Sequence, residues 1–396
     1  MADNKDASSA AVQAAATDVA TATTVATTAT SSGTALVETT AAAVNTDLDH
    51  QRQEHADSDN DNEDNDGDND EDNDDDDESE QPIQVHGEPN SLNDLLEGVP
   101  DDADELYLIH ARLKSVDGLG IEKYRSTLKN LQLRQNLIGD IPALFNELTE
   151  LVELDLYDNR LSKIENLSSL VNLEELDLSF NNIRRIKGLE KLVKLRKLYL
   201  VSNKIIDVER LSTLKELTML ELGANRIRAI TGLDELTNLD ELFLGKNKIT
   251  SMSPGLESLI NLRVLSIQSN RITEITGLEQ CVNLEELYMS HNGVTKISGL
   301  DNNKRLKVLD LANNRLESID NIDHLAEIEE MWLNGNQLPM ETFATLTKLA
   351  AKWPQLNTVY LEGNPMQTQN REAYRRKVKM ALPQLRQIDA TPTGRF

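Results

Sequence analysis

Between Leu128 and Asn364 the apolar residues recur in one arrangement, Leu-x-x-Leu-x-Leu-x-x-Asn with conservative exchanges, and the arrangement returns eleven times. The closing asparagines are Asn136, Asn159, Asn181, Asn203, Asn225, Asn247, Asn270, Asn292, Asn314, Asn336 and Asn364, mostly 22 residues apart. In each copy one residue separates the last two leucines, the period-2 alternation of a short strand with one buried face. In Leu173-Glu-Glu-Leu176-Asp-Leu178 this puts Leu176 and Leu178 inward, and Glu175 and Asp177 outward. The Asn suits the sharp return that follows. Its amide both donates and accepts, so it can satisfy backbone groups that the turn would otherwise bury unpaired. The return segment has apolar positions of its own, such as Ile183, Ile186, Leu189, Leu192 and Leu195, which pack beneath the strands.

A strand, an Asn turn and an apolar return repeated at this period resemble the leucine-rich repeat. The expected fold class is α/β, a solenoid of about twelve 22-residue turns with a parallel sheet on the concave face and stacked asparagines forming a ladder. So short a turn leaves room on the convex side for short helical segments, often 3₁₀. The twelfth turn comes from Leu106-Tyr-Leu108-Ile-His-Ala111-Arg-Leu113, a degraded first copy with Ala111 in the place of Asn. The ends of such a rod need covers, because they would otherwise expose core leucines and strand edges. Residues 91–105 supply an N-terminal cap, with Ser91 placed to cap a short helix, ahead of the solenoid at 106–364. Residues 365–396 form the C-terminal cap, in which Asn370 is placed to cap a helix over Arg371–Ala381 and Pro383 to Asp389 close the chain. An insertion, Glu341–Trp353, has Phe343, Leu346, Leu349 and Trp353 at helical spacing and is expected to pack on the rod.

Composition separates residues 1–90 from the rest. They are rich in Ala and Thr, then in Asp, and almost free of aromatic or large apolar residues, so they are expected to form a disordered acidic arm. The first 100 residues hold 26 acidic and 2 basic side chains, leaving 42 and 38 for the remainder. The formal net charge of −28 therefore belongs mostly to the arm, and the repeats are close to neutral. No basic region leads into an apolar run, and no stretch approaches a membrane span, which points to a soluble intracellular chain. One cysteine excludes an internal disulfide framework, and Cys281, in the slot that Leu192 fills in another copy, reads as packing.

The search for chemistry is negative. No nucleophile and base group together, no glycine loop suits a phosphate, and three of the six histidines lie in the arm. Asn62-Glu-Asp64-Asn-Asp66-Gly67 imitates a calcium loop but begins with Asn and has Asn73 where a bidentate Glu is needed. Neither a metal, a cofactor nor an enzyme activity is expected.

The informative positions are those between the last two leucines of each copy: Gln132, Asp155, Asp177, Tyr199, Glu221, Phe243, Ser266, Tyr288, Asp310, Trp332 and Tyr360. Five of the fourteen aromatic residues stand in this one column, on the face turned from the core. A neighbouring column adds Glu153, Glu175, Glu241, Glu286 and Glu330, with Lys197 the main exception. Strand propensity and solubility explain the glutamates, but Phe243 and Trp332 suit an interface better. The expected partner is a protein with basic residues around apolar pockets. Nucleic acid is disfavoured because the face is acidic.

Several segments carry a more specific likeness: Leu131-Gln-Leu-Arg-Gln-Asn-Leu-Ile138, Leu154-Asp-Leu-Tyr-Asp-Asn159, Glu221-Leu-Gly-Ala-Asn-Arg-Ile-Arg-Ala-Ile230, Leu242-Phe-Leu-Gly-Lys-Asn-Lys-Ile-Thr250 and Leu385-Arg-Gln-Ile-Asp-Ala-Thr391. They resemble the leucine-rich-repeat regulatory subunits of type 1 protein phosphatase, over about residues 100–396. The resemblance implies a non-catalytic subunit that holds the phosphatase catalytic subunit on its concave face and controls its activity, maturation or targeting. It further implies a place in nucleus and cytoplasm, a link to mitosis, and a chain monomeric alone that has room for a further regulator in a ternary complex. The family's contact positions fall on Asp177, Tyr199, Glu221, Phe243, Asp310, Glu330, Trp332 and Tyr360, and Tyr288 shares their column. Tyr199 departs from the family's usual Phe. No Phe in the chain completes the basic-Val-x-Phe motif by which many regulators dock on this phosphatase, which leaves the contact to the repeat face. The competing reading is an acidic histone-binding, chaperone-like leucine-rich nuclear protein that works through Asp74-Asp-Asp-Asp-Glu78. A third, an RNA-particle subunit, has only the basic run Arg371, Arg375, Arg376, Lys377 and Lys379 to offer.

Overall fold

The computed structural model describes residues 35–36, 95–96 and 98–394. Within the arm, where no element is expected, Ala35–Leu36 (β1) forms a two-residue strand parallel to the first repeat strand, Glu105–Tyr107 (β2). Eleven more three-residue strands follow: β3 Asn130–Gln132, β4 Glu153–Asp155, β5 Glu175–Asp177, β6 Lys197–Tyr199, β7 Met219–Glu221, β8 Glu241–Phe243, β9 Val264–Ser266, β10 Glu286–Tyr288, β11 Val308–Asp310, β12 Glu330–Trp332 and β13 Thr358–Tyr360. Together with β2 they make the twelve expected turns. Neighbours in sequence are neighbours in the sheet, and every pair from β2 to β13 is parallel and in the same register. The sheet continues into Gln387–Ile388 (β14), parallel to β13, and ends in Thr391–Pro392 (β15), which turns back antiparallel.

The core is one continuous column of side chains under the sheet. The central residue of each repeat strand is buried, from Leu106 through Leu198 and Leu265 to Met331 and Val359. The first and last leucine positions of each copy and the apolar residues of the return segments complete it. This burial supplies the driving force that strands of three residues could not find in their own hydrogen bonds.

The asparagine ladder forms as the amide chemistry requires. Asn203 is representative: its Nδ2 donates to the carbonyls of Leu178, Leu200 and Val201 at 2.9, 3.2 and 3.2 Å, and its Oδ1 accepts from the Ile183 N–H at 2.9 Å. Each rung thus ties its own turn to the one before. The residue preceding each ladder Asn is left-handed, with φ of 51–55° at Gln135, Asp158, Phe180, Ser202, Ala224, Lys246, Ser269, His291 and Asn313. Glycine takes this place only in the last two copies, as Gly335 and Gly363.

The opposite side holds a second ladder that the repeat pattern does not announce. Asn172, Asn238, Asn261 and Asn283 donate through Nδ2 to the carbonyls of Thr149, Lys215, Thr237 and Ile260, at 2.9–3.0 Å. Helical turns are scarcer there than expected. Beyond the pair Leu95–Leu96, the 3₁₀ segments among the described residues are Ile121–Tyr124, Ala143–Glu147 and Ala350–Lys352. Elsewhere isolated turns suffice, closed by bonds such as Leu170 N–H to the Leu167 carbonyl and Leu173 N–H to the Leu170 carbonyl, both 3.0 Å. A return this short bends again before a second consecutive helical bond can form.

The insertion is helical, Thr342–Leu349 (α1), and runs into the 3₁₀ turn that precedes Trp353. Trp353 is fully buried, and its Nε1 donates to the Ile322 carbonyl at 2.9 Å. After Pro365–Thr368 (α2) comes Arg371–Ala381 (α3), as expected, but Asn370 does not cap it through its side chain. The Asn370 amide Nδ2 is buried without a partner, and its backbone carbonyl instead accepts from Ala373 and Tyr374 N–H. The basic run of α3 is partly structural. Arg375 donates to the Ile388, Thr391 and Pro392 carbonyls, and Lys379 to those of Pro383 and Leu385, so the helix pins the final hairpin.

Cys281 is buried as expected; burial pushes its thiol up to about 12. In the next copy the same slot holds Asn303, whose Nδ2 donates to the Leu278 and Cys281 carbonyls. The proposed Ser91 cap, the calcium-like segment and the acidic run lie outside the described residues. No helix among the described residues is long and apolar enough to cross a membrane, and no group of His, Cys, Asp or Glu among them could hold a metal ion.

Candidate functional site

The register of the sheet brings the predicted column together. Asp155 pairs with Asp177, Asp177 with Tyr199, Tyr199 with Glu221 and Glu221 with Phe243, and beyond Ser266 the line resumes through Tyr288, Asp310, Trp332 and Tyr360. Residues scattered over more than two hundred positions of sequence thereby form one strip on the open face of the sheet. Parallel pairing without register shift is what makes this possible.

The side chains of the strip are not equally available. Tyr199, Glu221, Phe243, Trp332 and Tyr360 are half-buried, whereas Tyr288 is 7% exposed and Asp310 4%. Asp310 stands in register between Tyr288 and Trp332, and these two rings flank it. Asp155 and Ser266 are also buried. Alternation separates the two faces of a strand, but it does not show how far large neighbours cover a small one.

The aspartates have a local structural use as well. Asp155, Asp177 and Asp310 each accept through Oδ1 from the N–H two residues ahead, on Tyr157, Ser179 and Ala312, at 2.8–2.9 Å. These bonds fix the chain where it leaves the strand. Glu221, one methylene longer, makes no such bond. Burial pushes its carboxyl up to about 7, with the charge of Asp177 adding to the effect. Burial likewise raises Asp155 and Asp310 to about 6, against the lowering effect of their backbone bonds. These acids have lost water, and of the three only Asp155 has gained an ion-pair partner, Arg134 at 3.2 Å.

Two of the aromatic residues are positioned by glutamates two residues earlier on the same face. Tyr288 donates to Glu286 at 2.7 Å, and Trp332 Nε1 donates to Glu330 at 3.3 Å. Trp332 packs against Tyr360, with ring centroids 5.3 Å apart, and the Tyr360 hydroxyl accepts from Gln387 at 2.7 Å. Tyr360 thus joins the strip to the C-terminal cap. Lys197, the basic residue in the glutamate column, pairs with Glu175 at 3.0 Å.

Beyond the ends of β3 to β5 lies a group that the column does not include. Arg134 stacks over Tyr157 at 4.3 Å from the ring centroid, and Tyr157 packs on Phe180 with centroids 4.9 Å apart. Phe180 is 39% exposed. An aromatic residue just before a ladder Asn is the signal that could have shown this group in the sequence. A shallow recess of about 420 Å³ opens at the other end of the strands, beside Arg196, Asp240, Arg263 and Arg305. There Arg263 grips Asp240 through two bonds of 2.7 and 2.9 Å, and Arg305 donates to Asn283 at 2.8 Å.

Comparison with known proteins agrees with this geometry. The family described as "Leucine Rich repeats (2 copies)" matches successive stretches from residue 171 to residue 326, and "Leucine rich repeat" matches residues 126–183, together about half of the chain. The chain belongs to the leucine-rich-repeat family. Among solved structures, this leucine-rich-repeat protein is similar to an internalin (inlF) of Listeria monocytogenes, with a TM-score of 0.60 and 24% identity over 76% of this chain and 94% of that one. A leucine-rich-repeat protein of Leptospira interrogans gives the same score and identity over 68% of this chain and 74% of its own. At these identities the likeness is one of fold.

Curated relatives lie nearer in sequence over shorter stretches. Protein phosphatase 1 regulatory subunit SDS22 of Schizosaccharomyces pombe is 47% identical over 79 residues, 20% of this chain and 23% of the relative. The Saccharomyces cerevisiae protein of the same name is 41% identical over 83 residues, again 20% and 23%. Protein phosphatase 1 regulatory subunit 7 of Xenopus tropicalis is 50% identical over 52 residues, 13% of this chain and 14% of its own. The matches therefore span less than a quarter of each relative.

Proposed function

We propose that this leucine-rich-repeat protein is a non-catalytic regulatory subunit that binds the type 1 Ser/Thr protein phosphatase catalytic subunit on the concave face of its sheet. The single observation that carries the reading is the strip itself: Asp177, Tyr199, Glu221, Phe243, Tyr288, Asp310, Trp332 and Tyr360 stand in one register line, with Glu330 beside Trp332. The names of the curated relatives support the choice of partner.

The physical mechanism is rigid docking over many strands. Phe243 and Trp332 lose water at the centre of the contact, where large rings contribute most. Glutamates at the edge meet basic residues of the partner and set its orientation and rate of approach. Glu221, desolvated and without a positive neighbour, gains most from an incoming cation. A face held by the ladder and the core loses little entropy on binding. The complex controls the activity, maturation or targeting of the phosphatase in nucleus and cytoplasm, with a role in mitosis.

The test is a calorimetric titration of the full chain, and of its Phe243→Ala/Trp332→Ala double variant, against purified type 1 phosphatase catalytic subunit. Tight binding by the parent that collapses in a folded variant supports the reading. Absence of binding by the parent ends it.

A further inference from the structure

The residue before each ladder Asn must be left-handed, a backbone that penalises any side chain and is least suited to a bulky one. In ten of the eleven copies the place is held by Gln135, Asp158, Ser202, Ala224, Lys246, Ser269, His291, Asn313, Gly335 or Gly363. In the remaining copy it is Phe180, with φ 54°. A phenylalanine is therefore held in a strained backbone and left 39% exposed, although Asn or Gly would serve the turn better. Strain of this kind is retained where the side chain has work to do.

The surroundings of Phe180 indicate what it would meet. Arg134 covers Tyr157, Tyr157 packs on Phe180, and the series is then open to solvent. Arg134 also pairs with Asp155 at 3.2 Å, so the stack joins the acidic strip without a break. Around Tyr157, burial and the carboxylates of Asp158, Asp177 and Asp155 raise the phenol, and Arg134 alone opposes them. Three acids against one guanidinium leave the stack in a negative field, which favours a second cation over the exposed ring.

The geometry points to Tyr157 and Phe180 as an arginine-binding extension of the docking face, in which a guanidinium of the bound phosphatase surface stacks on Phe180 within reach of Asp158. This inference rests on the phosphatase reading and adds a contact beyond the ends of the strands, outside the column. It also accounts for Phe in a turn that the fold would build more easily from Asn.

The strain provides the means of separating a binding role from a structural one. The full chain and its Phe180→Asn, Phe180→Leu and Phe180→Tyr variants would be titrated against purified phosphatase catalytic subunit, with thermal unfolding followed in parallel. Phe180→Asn suits the left-handed turn, so it should melt no lower than the parent while its dissociation constant rises about tenfold, within the range for loss of an anchoring aromatic. Phe180→Leu keeps apolar bulk over Tyr157 and should lose affinity similarly, because the π face is gone. Phe180→Tyr keeps the ring and should bind as the parent does. Parental affinity in both Asn and Leu variants, while Phe243→Ala/Trp332→Ala abolishes binding, overturns this inference and leaves the strip intact. A parent that does not bind overturns both.

Discussion

Trp332 and Tyr360 pack against each other across neighbouring strands, with ring centroids 5.3 Å apart and planes tilted by 56°. Trp332 is further held by Glu330, and Tyr360 by Gln387 of the C-terminal cap. Such a pair is fixed before any partner arrives, so little side-chain entropy is lost on contact. Trp332→Ala is expected to weaken phosphatase binding by about 2 kcal/mol or more. The fold itself should lose less, about 1 kcal/mol for the aromatic pair. Calorimetry and thermal unfolding on the same preparation measure the two losses separately.

Removing a rung of the ladder should act on the fold instead. Asn203→Ala leaves the Ile183 N–H without a partner in a buried turn, while the Leu178 and Leu200 carbonyls keep the amides of Asn181 and Asn225. The expected cost is about 2 kcal/mol, read from the midpoint of chemical denaturation. An unchanged midpoint would mean that water enters the turn and replaces the amide.

Glu221 predicts a pH dependence whose sign follows from the direction of its shift. Its carboxyl is raised to about 7 in the folded chain, above the value of an exposed glutamate near 4.3. The folded state therefore holds the proton more tightly. The stability gained is complete below about 4.3 and is lost as the pH rises through about 7. Glu221→Gln should reduce the rise in stability seen as the isolated protein is taken from pH 8 towards pH 5. Denaturation at several pH values in the two proteins checks this, and parallel curves would count against it.

Arg375 should matter for the end of the rod alone. Its guanidinium bonds to three carbonyls, of Ile388, Thr391 and Pro392, on the closing hairpin. Arg375→Ala is expected to cost about 1.5 kcal/mol and to speed amide exchange around β14 and β15. Exchange in the middle of the sheet should stay as it was. A change spread evenly over all strands would instead show the cap and rod to unfold together.

The strip was legible because two simple periods coincide. A 22-residue repeat places Asp177, Tyr199 and Glu221 one above another, and alternation turns them from the core. The burial of Tyr288 and Asp310 was not legible, because it depends on the sizes of side chains that meet only after stacking. The turn bonds of Asp155, Asp177 and Asp310 reach only two residues ahead, yet they depend on the conformation that the chain adopts as it leaves the strand. The second ladder was missed because Asn172, Asn238, Asn261 and Asn283 recur in only part of the array, among Lys194, Glu216 and Arg305 at the same place. For Asn370, residue type alone named the right helix start and the wrong means of capping, since its side chain is turned into a buried site.

Uniform parallel register also makes the sheet a ruler. Phe243 and Trp332 stand on β8 and β12, four strands apart, and strands lie about 4.8 Å from one another. The two rings are thus set roughly 19 Å apart by a count of turns rather than by any contact between them. Deleting one whole copy between them would leave ladder and core able to close again, yet would shorten that interval by one graduation. A partner cut to the original measure would then meet one ring or the other, and affinity would fall although every side chain of the face is still present.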